Sequence, residues 1–569
     1  MKNLINILFL AITAIGFSQN LHTDGQKIVN EKGENILLKG IGLGGHMLQE
    51  GYMLKVPFSG QQHVFKQHIE ALIGKEATAE FYNRWLANHT QKTDIDSLKS
   101  WGFNSVRLPM HYNLYTLPIE DEPVKGKQTW LEKGFQMTDS LLQWCKGNKM
   151  YLILDMHATP GGQGHDLNIS DRDPSKPSLW ESKANQEKLV ALWQKLAERY
   201  KDEAWIGAYD IINEPNWAFT GKHKNGIDEQ ENKPLKKLMV EITKAIRKVD
   251  KKHILIIEGN GWGNNYNGVL PPWDDNMVIS FHKYWNYNTQ AEIQGFLDFR
   301  KKYNTPIWLG ETGENSNVWF TDAITLMQQN NIGWCWWPLK KLGFNNPLEI
   351  KVNPGYQKLL DYWADKADKP TQKEAYDALM QLAEDAKIEN NIFHKDVVDA
   401  MMRLPLTNGT KPYKAVNIDE DTLIKAVNYD LGKLGIAYFD TDYGNYYVST
   451  GKERTGWNNG RTYRNDGIDI YKDESGYYVG DTQRGEWLQY TFEASEEGDY
   501  EIAFTTKTTS ECSVLIENKD GYSEVITIAK NLSWNTSEAK KITLNKGFNQ
   551  LKITVLKGRP DLKEILIKK

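Results

Sequence analysis

The sequence is short of the features that mark disulfide-built, membrane-spanning and nucleic-acid-binding proteins. Its 569 residues hold three cysteines, Cys145, Cys335 and Cys512, far apart and odd in number, so no disulfide framework is implied. Lys plus Arg total 69 against 74 Asp plus Glu, a formal net charge of −5 with no basic stripe, which excludes nucleic acid as the expected partner. Beyond the first 19 residues no apolar run is long enough for a transmembrane helix, so no membrane partner is expected either.

Met1–Gln19 is different: Lys2, an apolar run from Leu4 to Phe17, then Ser18 and Gln19. That run is too short to span a bilayer and has the form of a secretory signal peptide, so the expected location is extracellular or periplasmic. With 40% hydrophobic residues over this length, two domains and a monomer are the expectation.

From Leu37 short apolar runs alternate with helical patterns. Strands are expected at Leu37–Leu43, Ser105–Leu108, Tyr151–Met156, Ala208–Ile212, Ile254–Glu258, Met277–Phe281, Pro306–Gly310 and Gly333–Trp336. Between them lie helices such as Asn185–Tyr200, whose Leu189, Leu192, Trp193, Leu196 and Tyr200 share one face. Eight strands alternating with helices predict an α/β fold, a (β/α)₈ TIM barrel over residues 20–369, whose site lies at the C-terminal strand ends. The largest insertion, Gly45–Thr93, follows the first strand and falls on that face. Residues 370–410 read as a helical extension and linker opened by the capping box Thr371–Glu374, and residues 411–569 as an all-β sandwich of the jelly-roll kind.

Chemistry is then sought at the strand ends. The run Ile206–Trp217 ends its strand in Asn213-Glu214-Pro215, and Pro306–Gly310 is followed by Glu311. Strands four and seven face one another across a barrel mouth, so these carboxylates can converge. A pair of carboxylates is what glycosidic-bond cleavage requires, one to protonate the departing oxygen and one to attack or to activate water. The 20 Trp and 27 Tyr fit the same chemistry, because flat rings stack on sugar C–H faces, although any one of them serves packing equally well.

Around these residues the chain from about Gln26 to Lys341 resembles family 5 glycoside hydrolases, the cellulase family. The matching residues are Arg107 in Val-Arg-Leu-Pro, His157 in Leu-Asp-Met-His, Asn213-Glu214-Pro215, His282 and Tyr284 in Phe-His-Lys-Tyr, Glu311 in Leu-Gly-Glu, and Trp337 in Trp-Cys-Trp-Trp-Pro. The resemblance implies Glu214 as acid/base and Glu311 as nucleophile of a retaining reaction. Arg107, His157, Asn213, His282, Tyr284 and Trp337 are then the substrate-binding set, with Trp336 the competitor if the strand's inward face shifts by one residue. Asp155 and Glu258 are expected either to support the site residues from behind or to be structural, since the family pattern gives them no chemical role. No metal is expected at the site, since His157 and His282 lack a partner at ligand spacing.

The expected partner is a polysaccharide or oligosaccharide, and the expected substrate a β-glucan with β-1,4 or β-1,3 linkage; Gly42-Leu-Gly-Gly45 and Leu48-Gln-Glu50 are similar to glucan-acting branches of the family. Mannan and xylan stay open, as do a transglycosylase on the same scaffold and a non-catalytic glycan-binding protein. Trp217, Trp262, Trp273 and Trp285 are candidates for sugar subsites, and closure by Gly45–Thr93 or Gly161–Pro177 decides endo against exo action. Residues 411–569 resemble family 6 carbohydrate-binding modules through Tyr429–Gly432, Ala437–Asp440, Tyr463–Asp469 and Gly485–Tyr490. Asp481, Ser537 and Asp561 stand where that family carries an aromatic, a second Trp and a late Asn, leaving Trp457 and Trp534 as the rings to test. No cofactor is expected; a structural calcium ion in the sandwich is open, since the acids expected before Tyr429 appear as Lys425 and Val427.

Overall fold

A computed structural model describes residues 20–451 and 456–569; the predicted signal peptide lies outside the described residues. Eight parallel strands close into a barrel: β1 (Lys39–Gly42), β2 (Ser105–His111), β3 (Tyr151–Ala158), β4 (Ile206–Asp210), β5 (Ile254–Ile257), β6 (Met277–Lys283), β7 (Ile307–Gly313) and β8 (Gly333–Trp337). Each pairs with the next in sequence, and β8 returns to β1. Every residue of β2 to β8 is buried, because helices cover the outside and side chains fill the inside.

Alternation along the strands sorts residues into layers. Ile153, Ala208, Ile256, Val278, Trp308 and Cys335 point inward in one apolar cluster, joined by Leu21 of an N-terminal hairpin (Leu21–Asp24, Lys27–Asn30) at the barrel's bottom. Two residues further along, the inward positions turn polar: Asp155, Asp210 and Ser280, and then His157 and His282. Only the top of the barrel is thus left for chemistry. On β7 this parity is broken: Phe281 pairs with Leu309 but His282 pairs with Glu311, so Gly310 is the extra residue of a bulge. The bulge turns Glu311 inward behind Trp308. Glycine suits the position, since a Cβ there would come within 2.1 Å of Ser280 Oγ.

The insertion after β1 folds as helices Gln62–Ile73 and Lys75–His89. Phe65, Phe81 and Trp85 form a separate core with Tyr356, Leu379 and Leu382 from helices Pro354–Trp363 and Gln372–Asp385. Helix Gln372–Asp385 is therefore packed against the catalytic-side insertion, whereas Val397, Ala400, Met401 and Leu404 join the barrel core. The C-terminal region is a sandwich. One sheet is built on Trp487–Ala494, Gly547–Lys557 and Cys512–Asn518, the other on Asp561–Lys568 and Gly498–Thr508, with Tyr490, Phe504, Ile516, Ile553 and Ile565 between them. The three cysteines are buried and free.

Candidate active site

The top layer is organised by Arg107, fully buried on β2. Its guanidinium lies 3.3, 2.9, 3.2 and 2.8 Å from carboxylate oxygens of Asp155, Asp210, Glu258 and Glu311. Removing such a cation from water is costly, and the ring of carboxylates is what keeps it charged. Arg107 also donates to Asn213 Oδ1 at 2.7 Å, so one side chain orients both strand-four and strand-seven residues. Tyr284 donates its hydroxyl to the other oxygen of Glu311 at 2.8 Å.

Glu214 follows the end of β4 and holds a left-handed backbone, φ +41°. For a side chain with a Cβ this is a strained conformation. It is held by the Glu214 N–H, which donates to Glu258 Oε2 at 2.7 Å. Glu214 Oε1 and His282 Nδ1 share a 2.6 Å hydrogen bond. Nε2 of the same ring is 3.2 Å from Glu258 Oε1, close enough for an ion pair although poorly aligned for a hydrogen bond. Burial disfavours charge on His282, but Glu258, Glu311 and Glu214 outweigh it and hold the imidazole well above its usual range. Burial and then the charge of Glu311 push Glu214 up to about 7, against the opposing pull of His282. Oxygens of Glu214 and Glu311 and a ring nitrogen of His282 lie within 4.8 Å of one another. These three could supply ligand atoms to a metal ion, but Glu311 already faces the Arg107 cation, which disfavours a second cation beside it.

His157 Nδ1 is bonded to Asp155 Oδ2 at 2.7 Å, and its Nε2 faces the Asn213 amide Nδ2 at 3.4 Å. Trp337 stacks on it, ring centroids 5.0 Å apart and planes 10° apart, and donates Nε1–H to Tyr52 at 3.0 Å. Trp337 needs the glycines at the end of β1: a Cβ on Gly42 or Gly44 would fall 2.5 or 2.7 Å from the indole. Trp336 instead faces outward, against Trp319, Phe320 and Trp334. All eight residues expected at the site are thus brought to one mouth. Asp155 and Glu258 orient His157, Arg107 and Glu214.

Glu50 was not among the expected site residues. The insertion buries it to 6% exposure, with its Oε1 4.0 Å from His157 Nε2. Burial first, then Glu311, Glu314 and Glu214, hold its carboxyl well above the usual range. The signal available was its place soon after β1 on the catalytic face. The insertion is tied to the strand-three loop through Asp171, which accepts from His63 N–H at 2.8 Å and pairs with His111 at 3.0 Å, walling that side of the mouth.

The candidate tryptophans divide. Trp285 follows Tyr284 at the mouth, rings 5.7 Å apart. Trp262 donates to Asp166 at 3.3 Å, and Trp217 stacks on His165 at 4.0 Å, both among the catalytic-side loops. Trp273 packs away from the mouth, bonded to Thr243 Oγ1 and beneath Lys236, because its segment returns along the outer helix. In the sandwich Trp457 is 4% exposed, bonded to Asn465 and packed on Phe344, so it presents no face to a sugar. Trp534 is half-buried beside Tyr478 at 5.1 Å.

Residues 66–343 match the profile described as Cellulase (glycosyl hydrolase family 5), and residues 464–566 match Carbohydrate binding module (family 35). The second match replaces the family 6 resemblance: the framework residues common to such sandwiches did not distinguish the two. Among known proteins, a beta-xylosidase of Phanerodontia chrysosporium is 24% identical over 383 residues, 61% of this chain and 76% of its own length. Endoglucanase C of Acetivibrio thermocellus is 26% identical over 313 residues, 44% of this chain and 84% of its own. The solved structure of endoglucanase Cel5A from Thermotoga maritima aligns at 19% identity and TM-score 0.35 over 51% of this chain and 90% of that one. Residues 66–343 form a cellulase-type glycosyl hydrolase family 5 domain, and the chain is an O-glycosyl hydrolase with a carbohydrate-binding module C-terminal to its barrel.

Proposed function

We propose that this protein is an exported β-glycanase that hydrolyses a β-linked glucan with net retention, Glu214 serving as acid/base and Glu311 as nucleophile. The approach of the two carboxylates to within 4.8 Å carries the reading. Retaining pairs stand about 5–5.5 Å apart, whereas inverting pairs stand about 6.5–9.5 Å apart to admit a water.

In the first step Glu311, oriented by Arg107 and Tyr284, attacks the anomeric carbon while the glycosidic C–O bond breaks and the proton of Glu214 passes to the departing oxygen. In the second, Glu214 takes a proton from water, the oxygen attacks the same carbon, and Glu311 is released. A carboxyl raised to about 7 can both give and retrieve that proton near neutrality. Asn213, its oxygen held by Arg107, presents its amide to the sugar 2-hydroxyl, and Trp337 lies under the ring. No cofactor takes part.

The relative named endoglucanase supports a glucan substrate, with the linkage either β-1,4 or β-1,3. The relative named beta-xylosidase, which aligns with the larger share of this chain, supports a xylose-based substrate as the second reading. Export follows from the Met1–Gln19 pattern. Purified protein incubated with β-1,3-, β-1,4- and mixed-linkage glucans, xylan and mannan should release reducing ends from a glucan. Glu311→Ala should abolish release without changing the unfolding transition; a variant that stays active refutes the assignment.

A further inference from the structure

The catalytic mouth is shut on one flank and open on the other. On the shut flank the insertion is bonded to the chain that follows β8: Leu342 N–H donates to Met53 C=O at 3.0 Å, the Tyr356 hydroxyl to Leu54 C=O at 2.9 Å, and Trp337 Nε1–H to the Tyr52 hydroxyl at 3.0 Å. Glu314, three residues beyond Glu311, stands beside the same hydroxyl and pairs with Lys341 at 2.9 Å, and Lys341 lies over the Tyr52 ring at 5.5 Å. Trp285 Nε1–H donates to Glu314 C=O at 3.3 Å, which ties in the strand-six loop. The next residue is fixed by the sandwich domain: Asn315 donates from Nδ2 to Asn445 C=O at 2.8 Å and accepts from Asn445 N–H at 2.9 Å. His157 covers one face of Trp337, the Nε1–H edge is turned into this wall, and only 4% of the residue is exposed. A sugar lying against Trp337 therefore meets protein at that edge.

The open flank begins at the proton donor. Pro215, next to Glu214, accepts at its C=O from Trp262 N–H at 3.1 Å, and the Trp262 indole donates to Asp166 at 3.3 Å. Asp166 lines an open groove of about 390 Å³ with Phe58, Gly60, His165, Asn168 and Lys224. Sites for small ligands start at about 300 Å³, so the groove has room for sugars, and its polar lining suits hydroxyls. It joins the mouth at Glu50, whose carboxyl feels the charge of Asp166 as well as those of Glu311 and Glu214. The proton of the acid passes to the oxygen of the departing sugar, so the leaving group lies on the side of Glu214.

We propose that the enzyme works from chain ends: the mouth takes the one terminal sugar at the non-reducing end of the glycan, and the rest of the chain leaves along the groove between Phe58, Asp166 and Lys224. Tyr52, Glu314 and Lys341 occupy the ground that a second sugar would need on the other side of the scissile bond. The inference rests on the glycosidase reading and adds to it the mode of attack.

The test follows the products from a pentasaccharide of the glycan that the enzyme cleaves, labelled with a fluorophore at its reducing end. Single sugars should be the only unlabelled product of the first turnovers, the labelled chain shortening one residue at a time; di- or trisaccharides among the first unlabelled products overturn the proposal. A pentasaccharide whose non-reducing terminal sugar is blocked by a bulky acetal should resist cleavage, whereas an enzyme with room for a second sugar would cut it internally. As the groove fills, kcat/KM should rise about three- to tenfold from disaccharide to trisaccharide, and Lys224→Ala should shrink that rise. A series that is flat, or that Lys224→Ala leaves unchanged, overturns the groove as the path of the leaving chain. Wild-type protein inactive on every glycan would instead refute the glycosidase reading itself.

Discussion

Glu214 and His282 share a 2.6 Å hydrogen bond in a site nearly closed to water, and each sets the charge of the other. Glu214 acts as an acid only while protonated, so activity is present below its pKa and is lost as pH rises through about 7. His282 pulls that value down, because its positive charge favours the carboxylate. His282→Asn should therefore move the alkaline limb of kcat/KM to higher pH, while kcat falls about 10- to 100-fold through lost orientation. A pH–rate profile checks both; a limb that does not move assigns it to another group.

Arg107 balances Asp155, Asp210, Glu258 and Glu311. Arg107→Met should destabilise the fold by about 3–5 kcal/mol, since buried charges lose their partner. The deficit should depend on pH. Burial and the charge of Glu258 hold the Asp210 carboxyl well above its usual range against the pull of Arg107, so without the guanidinium it rises further and its contribution, favourable at low pH, is lost as pH rises through the raised value. Denaturant unfolding should show a smaller deficit at acidic pH than above neutrality; a pH-independent deficit argues against the charge balance.

The pair Asn213-Glu214 and Glu311, and most of the barrel, were legible because buried parallel strands leave apolar runs whose ends are marked by polar residues. Other features were written in a register that runs alone do not carry. The bulge at Gly310 reverses the inward parity of β7, and only the pairing of His282 with Glu311 displays it. Trp336 and Trp337 were separable in principle by alternation once Cys335 is known to face inward. Asp210 looked like an interruption in an apolar strand and proved to hold Arg107 through two bonds, at 3.1 and 2.9 Å. Glu50 and the Asn315–Asn445 pairing join segments far apart in sequence, for which no local pattern exists.

Glu50 is a mostly buried carboxyl that makes no side-chain hydrogen bond among the described residues, 4.0 Å from His157. A buried acceptor without a protein partner is costly unless a ligand supplies the donor, and a sugar hydroxyl can. Glu50→Ala should raise KM or lower kcat/KM for the glycan about 10-fold or more. Glu50→Ala should also leave the unfolding midpoint unchanged or raised. Unaltered kinetics would show that no sugar hydroxyl reaches it.

The separation of Glu214 and Glu311 predicts stereochemistry. Two displacements at one carbon restore its configuration, so the first product seen by proton NMR should be the β-anomer, with α appearing only as mutarotation proceeds. An α-anomer formed first would mean that water attacks directly, and that the carboxylates separate on binding substrate.

Glu214 and Glu311 should also differ in how much their loss depends on the leaving group. A dinitrophenolate departs without a proton, so Glu214→Ala should slow the first step on a dinitrophenyl glycoside far less than on a glucan. The second step still needs a base to activate water, so the glycosyl-enzyme should accumulate and give a burst of phenolate followed by a slow steady state. Glu311→Ala removes the attacking atom and should show neither burst nor turnover on either substrate. If the two variants responded alike to the better leaving group, Glu214 would not be the proton donor, and the bond it shares with His282 would have to serve the nucleophile instead.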